Sequence, residues 1–162
     1  MTGWTGVWAA TAATGCTLVG GVFFAFSGFV MPALRRLPAP TGVTAMQAIN
    51  VAAVAPPLMI ALFGTAAAAV VVPMLSWRAG ADHPTQVLGW VAGGLYLVGT
   101  VGVTVGGNVA LNDELAQWVA ESVDDSSWTG WVDAWTRWNH LRTAAALVAA
   151  ALSWVSLLRS AS

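Results

Sequence analysis

Four long stretches of this sequence carry no charged side chain, and they constrain the fold more than any other feature. Asp, Glu, Lys and Arg are absent from residues 1–34, 37–77, 84–112 and 143–158. The first three stretches exceed the roughly 20 apolar residues that a helix needs to cross the hydrocarbon core of a bilayer. The fourth becomes long enough if Arg142 lies near a membrane face or inside the protein. We therefore predict four transmembrane helices.

The overall composition excludes an ordinary soluble domain. Charged residues make up 8% of the chain, against roughly 25% in a soluble globular protein. A membrane barrel would alternate apolar and polar residues, and the four stretches do not. The predicted fold class is all-α, a single transmembrane four-helix bundle over residues 1–162 with a short extramembrane helical segment between spans three and four. The expected spans are about 4–31, 45–75, 85–109 and 135–158, with a kink at Pro56 and Pro57.

The charge pattern also bears on location and partners. The net charge is −1, so no basic surface indicates nucleic acid, and membrane lipid is the expected surrounding. Lysine is absent and all six cations are arginine, which is typical of a GC-rich bacterial genome and favours the bacterial cytoplasmic membrane. An even number of spans places both termini on one side. The arginines near the span ends are almost evenly divided, and the acidic segment before span four favours cytoplasmic termini.

Polar residues cluster at those span ends that the connectivity places on one side of the membrane. Burying such groups in lipid costs several kcal/mol unless they are paired, so they are expected to face the interior. This pattern predicts a polar pocket that is open to one membrane face. The alternative is a set of ordinary interfacial residues stabilised by headgroups. The residues concerned are Asn50 on the second span, Asn108 and Asn112 at the end of the third, and Asn139, Arg142 and Thr143 on the fourth.

Four tryptophans before and within the fourth span fall at helical spacing. They are Trp128, Trp131, Trp135 and Trp138. One interpretation is an aromatic belt at the headgroup level. The other is that Trp135 and Trp138 line a pocket for a flat, lipophilic aromatic small molecule, with Arg142 holding an anionic oxygen or stacking on a ring.

His140 is the candidate general base, because an imidazole accepts a proton near neutral pH. Asp113 is the candidate that orients it by a hydrogen bond. A lone histidine is also compatible with a structural role. No cofactor is predicted. A metal held by His140 and an acidic residue stays open, although no second histidine stands at i+3 or i+4 to form a metal-binding pair.

Two groups of motifs resemble a known family. The first comprises residues 23–34, with the sequence FFAFSGFVMPAL, and 46–50, MQAIN. The second comprises residues 108–116, NVALNDELA, and 135–143, WTRWNHLRT. Together they resemble the anthrone oxygenase-like family of small four-span membrane proteins. Carried over position by position, the resemblance implies a site built from Asn50, Asn108, Asn112, Asp113, Trp138, Asn139, His140 and Arg142.

The resemblance also implies an activity. Similar fungal proteins oxidise anthrones to anthraquinones with molecular oxygen in polyketide pathways, without flavin or haem. The first hypothesis is therefore a monooxygenase acting on an anthrone-like or phenolic substrate. His140 would remove a proton, Arg142 with the amides of Asn108, Asn112 and Asn139 would stabilise the oxyanion, and Trp135 with Trp138 would enclose the rings.

The second hypothesis is a non-catalytic membrane module. It would be a subunit of a larger complex, a homo-oligomer, or a protein that binds quinone or lipid. A transporter is less favoured, because the chain has no duplicated half with broken helices.

Overall fold

The chain folds almost entirely into helices. The computed structural model describes the backbone of residues 3–161 and the side chains of residues 6–160, and no strand occurs in this part of the chain. The α-helices are α1 (Gly3–Ala25), α2 (Met31–Leu34), α3 (Ala39–Ala53), α4 (Pro56–Arg78), α5 (His83–Gly94), α6 (Ala110–Ala116) and α7 (Asp125–Ala161). A 3₁₀ turn, Ala120–Ser122, precedes α7. The predicted all-α fold is confirmed.

Four continuous helical segments are long and apolar enough to cross a membrane. They are Gly6–Leu34, Pro56–Arg78, His83–Ala116 and Asp125–Ser160, and we call them spans one to four. The first span packs against α4 and α7, and α5 packs against the same two helices. Each span therefore has two neighbours, in the cyclic order one, two, three, four. The predicted four-helix bundle is confirmed.

The second span begins later than the sequence predicts. In place of one kinked helix over 45–75, α3 ends at Ala53, Ala55 is extended with φ −62° and ψ 151°, and α4 starts at Pro56. The residue before a proline is disfavoured in the helical region of φ/ψ space, and two consecutive prolines also lack backbone donors. With 23 residues, α4 is about 35 Å long, which is long enough to cross the hydrocarbon core by itself. The second span therefore does not need α3.

The helix of the fourth span, α7, also extends further than expected. It begins at Asp125, not near Trp135. The carboxylate of Asp124 accepts a bond of 2.8 Å from the backbone N–H of Ser127, and the backbone N–H of Trp128 donates to the Asp124 carbonyl. This is the geometry of a helix N-cap. The extra turns carry buried aromatic residues that need a packed environment.

Buried apolar residues form two separate clusters along the bundle. The cap core lies at the end where α3, α6 and the first turns of α7 meet, and it consists of Met31, Leu34, Ala39, Val43, Met46, Leu115, Trp128, Trp131, Val132 and Trp135. The bundle core lies within the spans and consists of Cys16, Val19, Phe23, Leu62, Ala69, Tyr96, Ala149 and Ala150. Polar residues predicted from the sequence, among them Asn50, Asn112 and Arg142, lie in the part of the bundle between these two clusters.

Three segments of the spans are π-helical. They are Phe26–Val30 in the first span, and Leu95–Gly102 and Thr104–Val109 in the third. A π-helical turn widens the helix and shifts its backbone bonds to i+5 donors, and such turns are frequent at functional sites. Phe26–Val30 and Thr104–Val109 lie towards the cap core, whereas Leu95–Gly102 packs against the bundle core.

Candidate functional site

A cavity lies between the cap core and the bundle core. Its volume is about 110 Å³. We call it the interhelical cavity, because all four spans and α3 contribute to its wall. Its lining is mostly apolar, with a few polar groups from different helices, which is the usual character of a small-molecule site. The lining residues are Val22, Phe23, Phe26, Met46, Ile49, Asn50, Ala53, Val54, Leu58, Met59, Leu62, Thr104, Val109, Asn112, Trp135 and Arg142.

Arg142 is the charged group of this cavity. The residue is only 6% exposed. Its Nε donates to Oδ1 of Asn139 at 2.8 Å, and Nη1 donates to Oγ1 of Thr104 at 3.3 Å. A guanidinium has five N–H groups, so three remain without a partner among the described residues. No described carboxylate pairs with Arg142.

Aromatic rings surround the guanidinium of Arg142. Its Cζ lies 3.8 Å from the centre of the Phe23 ring and 5.1 Å from the centre of the Trp135 ring. Both distances are within the range of a cation–π interaction. The rings compensate part of the cost of burying the charge, but they leave its unpaired N–H groups able to bind an anionic or strongly accepting oxygen.

Asn139 fixes the position of Arg142 from the neighbouring face of α7. Its Nδ2 donates to the carbonyl oxygen of Phe23 at 2.7 Å and to Oγ of Ser27 at 2.6 Å. The Phe23 carbonyl that accepts from the Asn139 amide lies three residues before Phe26, where the π-helical turn begins. Asn139 is fully buried. Its amide is thus used entirely within the protein.

Trp135 forms a rigid side of the cavity. Its Nε1 donates to Oδ1 of Asn112 at 2.8 Å. Its ring centre lies 5.7 Å from that of Phe26 and 6.4 Å from that of Trp131. The indole is 2% exposed, so both its orientation and its packing are determined by neighbours.

Two amides at the cap end of the cavity are available to a ligand. Asn50 on α3 makes no hydrogen bond with any described residue, and the Nδ2 of Asn112 on α6 is likewise unused. Arg142 lies over the Trp135 ring, whereas Asn112 bonds the Nε1 edge of the same indole. A flat apolar molecule with an anionic oxygen at one end and an acceptor at the other would match this distribution of donors.

Comparison with known families adds to this geometry. The model of the family described as anthrone oxygenase matches residues 45–152, which is more than half of the chain. The chain belongs to the anthrone oxygenase family. The match includes Asn50, Asn112, Trp135 and Arg142, whereas Phe23 and Phe26 lie in the first span, outside it. Neither a curated protein nor a solved structure shows a significant match to the chain.

The structure brings some of the predicted site residues of this family member together and not others. Asn50, Asn112, Trp135 and Arg142 line the cavity. Asn108 is buried next to it, where its Nδ2 donates to the Trp135 carbonyl at 3.1 Å. Its Oδ1 has no partner among the described residues. Asn108, like Asn139, therefore holds the helices of the site together.

His140, Asp113 and Trp138 lie outside the cavity. The side chains of His140 and Asp113 are exposed, and neither makes a hydrogen bond or ion pair with described residues. The expected arrangement of polar groups around the imidazole must therefore be corrected. His140 follows Asn139, and consecutive residues of a helix point about 100° apart. Since Asn139 faces the interior, His140 faces the outside.

Trp138 requires the same correction. It is 41% exposed and covers Gly107 of the third span, where an added Cβ would lie 2.5 Å from the indole. The four tryptophans lie on one helix, α7, as their spacing predicts. Of these four, Trp128, Trp131 and Trp135 are buried, and Trp138 is not. Trp138 therefore cannot enclose a ligand in this cavity together with Trp135.

Metal binding has no cluster of ligands to support it. Within the described part of the chain, no three His, Cys, Asp or Glu side chains come close enough together to hold an ion. His140 and Asp113 do not contribute to the cavity. The expectation that the protein needs no cofactor stays a prediction.

Three cavity residues that contact Arg142 or Trp135 were not predicted from the sequence. Phe23 and Phe26 come from the first span, and Thr104 comes from a π-helical segment of the third. Thr104 and Thr100 are four apart in an otherwise apolar span, and Thr104 Oγ1 donates to the Thr100 carbonyl at 2.7 Å. That spacing is the signal in the sequence that could have identified Thr104.

Proposed function

We propose that this chain is a membrane-embedded oxygenase for a flat, lipophilic substrate that carries an acidic C–H or phenolic O–H group, as an anthrone does. The observation that carries the proposal is the buried guanidinium of Arg142, which has two aromatic rings beside it and, among the described residues, unpaired N–H groups and no carboxylate partner. A buried cation without a counter-ion is costly. An anionic ligand would remove that cost.

Arg142 would act by stabilising the deprotonated substrate. An opposite charge within about 4–6 Å favours the ionised form of an acid and lowers its pKa. Here the interaction would occur in a largely apolar cavity, where it is screened less than in water. Thr104 and Asn139 hold the guanidinium in place before substrate arrives, so little reorganisation would be needed during the reaction.

The oxidation would then follow from the electron-rich anion. The substrate CH₂ group loses one proton, and the carbanion donates an electron pair to molecular oxygen, which forms a C–O bond and a peroxide. The peroxide takes up a proton, its O–O bond breaks, and the remaining hydrogen of that carbon leaves with the departing oxygen as water. The sum is CH₂ plus O₂ giving C=O plus H₂O.

The proton would go to water in this proposal. In the described part of the chain, no Asp, Glu or His side chain lines the cavity, and the predicted base, His140, is exposed. Asn50 and the Nδ2 of Asn112 would bind the polar end of the substrate and orient the ring system along Trp135. Once the proton has left, the aromatic walls would exclude bulk water from the anion while it reacts with oxygen.

A second function fits the same cavity. A protein that binds quinone or lipid without turnover would use Arg142 and the two amides in the same way, and could be a subunit of a larger complex. The two functions differ in one observable, because only the oxygenase consumes oxygen.

Oxygen uptake by the purified protein in lipid nanodiscs tests the proposal. With anthrone and no added cofactor, we expect uptake above the uncatalysed rate, and the same uptake after treatment with a chelator. Arg142→Gln should lower kcat/KM by at least about a hundredfold, as loss of one oxyanion donor does. Arg137→Gln is the matched control, since Arg137 is exposed on the same helix, and it should retain wild-type uptake.

Three outcomes would contradict this proposal. Equal uptake by the wild type and Arg142→Gln would remove Arg142 from the reaction. Binding of anthrone with no uptake beyond background would favour the non-catalytic module. A loss of uptake in His140→Ala, with Arg142→Gln unaffected, would instead return the catalytic role to the imidazole.

A further inference from the structure

Two residues of the interhelical cavity also belong to the outer surface of the bundle. Val54, in the break between α3 and α4, is 68% exposed, and Val109, at the end of a π-helical segment of the third span, is 39% exposed. A side chain that lines a cavity and is also exposed marks the place where the cavity opens. The mouth therefore lies between the second and third spans.

The surface on the bundle side of this mouth is apolar, whereas the exposed Asp113, one turn after Val109, marks its cap side. Val51 and Ile60 flank Val54 along α3 and α4, and Val105 precedes Val109 by one turn, all of them exposed. An aqueous entrance would be bordered by polar or charged side chains, whereas lipid-facing surface is apolar. The mouth also lies next to Pro56, the first residue of α4, which is long enough to cross the hydrocarbon core by itself. This places it at the boundary between acyl chains and headgroups.

The backbone at the mouth supports the same assignment. The backbone N–H groups of Val54 and Ala55 both donate to the carbonyl of Ala52. Pro57 has no N–H, so the carbonyl of Ala53 cannot receive its usual i+4 bond. At membrane depth, irregular backbone is tolerated where it is buried in protein or lines a water-containing cavity. The break between α3 and the second span borders the cavity, as such a break requires.

We propose that a lipophilic ligand enters the interhelical cavity sideways from the bilayer, through the mouth between Val54 and Val109. This inference rests on the cavity being the ligand site proposed above. A flat aromatic molecule with one polar group concentrates at the membrane interface, at the depth of the mouth. Its ring system would pass between the two valines, and its oxygen would then meet Arg142.

Binding kinetics distinguish an entrance from an ordinary wall contact. A narrowed entrance slows association and dissociation equally and leaves Kd unchanged, whereas loss of a wall contact changes Kd. We would measure both rates by stopped-flow tryptophan quenching with a naphthol, a lipophilic phenol, under anaerobic conditions in nanodiscs. Val54→Trp should lower both rate constants about fivefold or more with Kd constant, as expected for a gating step.

Matched variants complete the design. Val51→Trp adds the same bulk one turn away, at an exposed position that does not line the cavity, and should leave both rates within about twofold of the wild type. Val54→Ala should raise both rate constants. This variant tests the entrance even if the tryptophan variant does not fold. Arg142→Gln should act mainly on the dissociation rate.

Unchanged rates in both Val54 variants would overturn lateral entry, and so would a change in Kd without parallel changes in the two rates. Because oxygen is absent, these results do not depend on turnover. Naphthol binding by a wild type that consumes no oxygen with anthrone would overturn the oxygenase function and leave the entrance intact. Failure of the wild type to bind would overturn both.

Discussion

Asn139 on the fourth span donates a hydrogen bond of 2.7 Å to the backbone carbonyl of Phe23 on the first, and the same side chain accepts a bond of 2.8 Å from Arg142. One amide therefore joins a helix irregularity on α1 to the charged group of the cavity. Its two functional groups point in different directions: the NH₂ group donates to the first span, and the oxygen accepts from Arg142.

Replacement of Asn139 by leucine should destabilise the bundle. The change leaves the Nε–H of Arg142 without its acceptor and the Phe23 carbonyl without its side-chain donor, at a cost of about 2–5 kcal/mol. Thermal unfolding in detergent, followed by tryptophan fluorescence, measures it. His140→Leu is the control on the next residue. It should change stability by no more than about 0.5 kcal/mol, as surface changes do. Equal effects would mean that Asn139 is not a structural link.

Trp135 and Trp138 should differ sharply as ligand contacts. Trp135→Leu removes a wall of the cavity and a ring beside Arg142, and we expect naphthol affinity to fall about tenfold. Trp138→Leu removes a half-exposed ring that covers Gly107 on the outside, and affinity should stay unchanged. Equilibrium titration of the two purified variants decides this. A larger loss in Trp138→Leu would mean that the ligand binds outside the cavity.

The spans could be predicted from the sequence because charge is excluded from lipid so strongly. Stretches without Asp, Glu, Lys or Arg gave the number of helices and their order. The predicted ends of the helices were less accurate where prolines or a capping residue, and not the apolar composition, determine where a helix begins. The prolines at 56 and 57 end one helix and begin another, and the cap provided by Asp124 starts α7 ten residues before the apolar run.

The rotation of each helix about its axis was harder to predict. In a soluble protein the outer face is polar, so the apolar pattern reveals which side is buried. Here the lipid-facing side of α7 is as apolar as its interior, and exposed Leu141, Leu147 and Val148 resemble buried residues in the sequence. The inward positions of Asn139 and Arg142 followed from their polarity. Because His140 is adjacent to Asn139 on the helix, it points in a different direction and is exposed. The prediction had placed it in the site because an imidazole is a suitable base.

Asp124 should remain ionised in unusually acidic solution. Bonds from the Ser126 hydroxyl, and from the backbone N–H and hydroxyl of Ser127, lower the pKa of its carboxyl to about 2. A depressed pKa in the folded state contributes stability that is complete above the unfolded value, near 3.9. The contribution is lost as pH falls through the folded value of about 2.

The pH dependence of one variant checks this. Asp124→Ala should lower the unfolding temperature at neutral pH, and its difference from the wild type should shrink between about pH 4 and pH 2. Asp124→Asn keeps a capping oxygen but no charge, so it should lie between the two and vary little over that range. A difference between wild type and Asp124→Ala that stays constant down to pH 2 would show that the caps do not depend on the charge.

The glycine at position 42 permits the closest helix approach in the cap core. A Cβ added there would lie 2.5 Å from a ring atom of Trp128, which is 1% exposed and stacked on Trp131 with ring centres 5.6 Å apart. The indole cannot move aside without disturbing that stack. Gly42→Ala should therefore destabilise the protein by about 1–3 kcal/mol, the usual cost of overpacking a core.

A second glycine provides the control for this prediction. Gly64 lies within α4 and has no atom within 4 Å of an added Cβ. Gly64→Ala should stabilise the helix by roughly 0.5–1 kcal/mol, because alanine loses less conformational entropy there. Chemical unfolding of both variants in the same detergent, followed by near-ultraviolet circular dichroism, compares them directly. If Gly42→Ala is as well tolerated as Gly64→Ala, α3 does not rest on Trp128, and α3 would not be held at the height that brings Asn50 to the cavity.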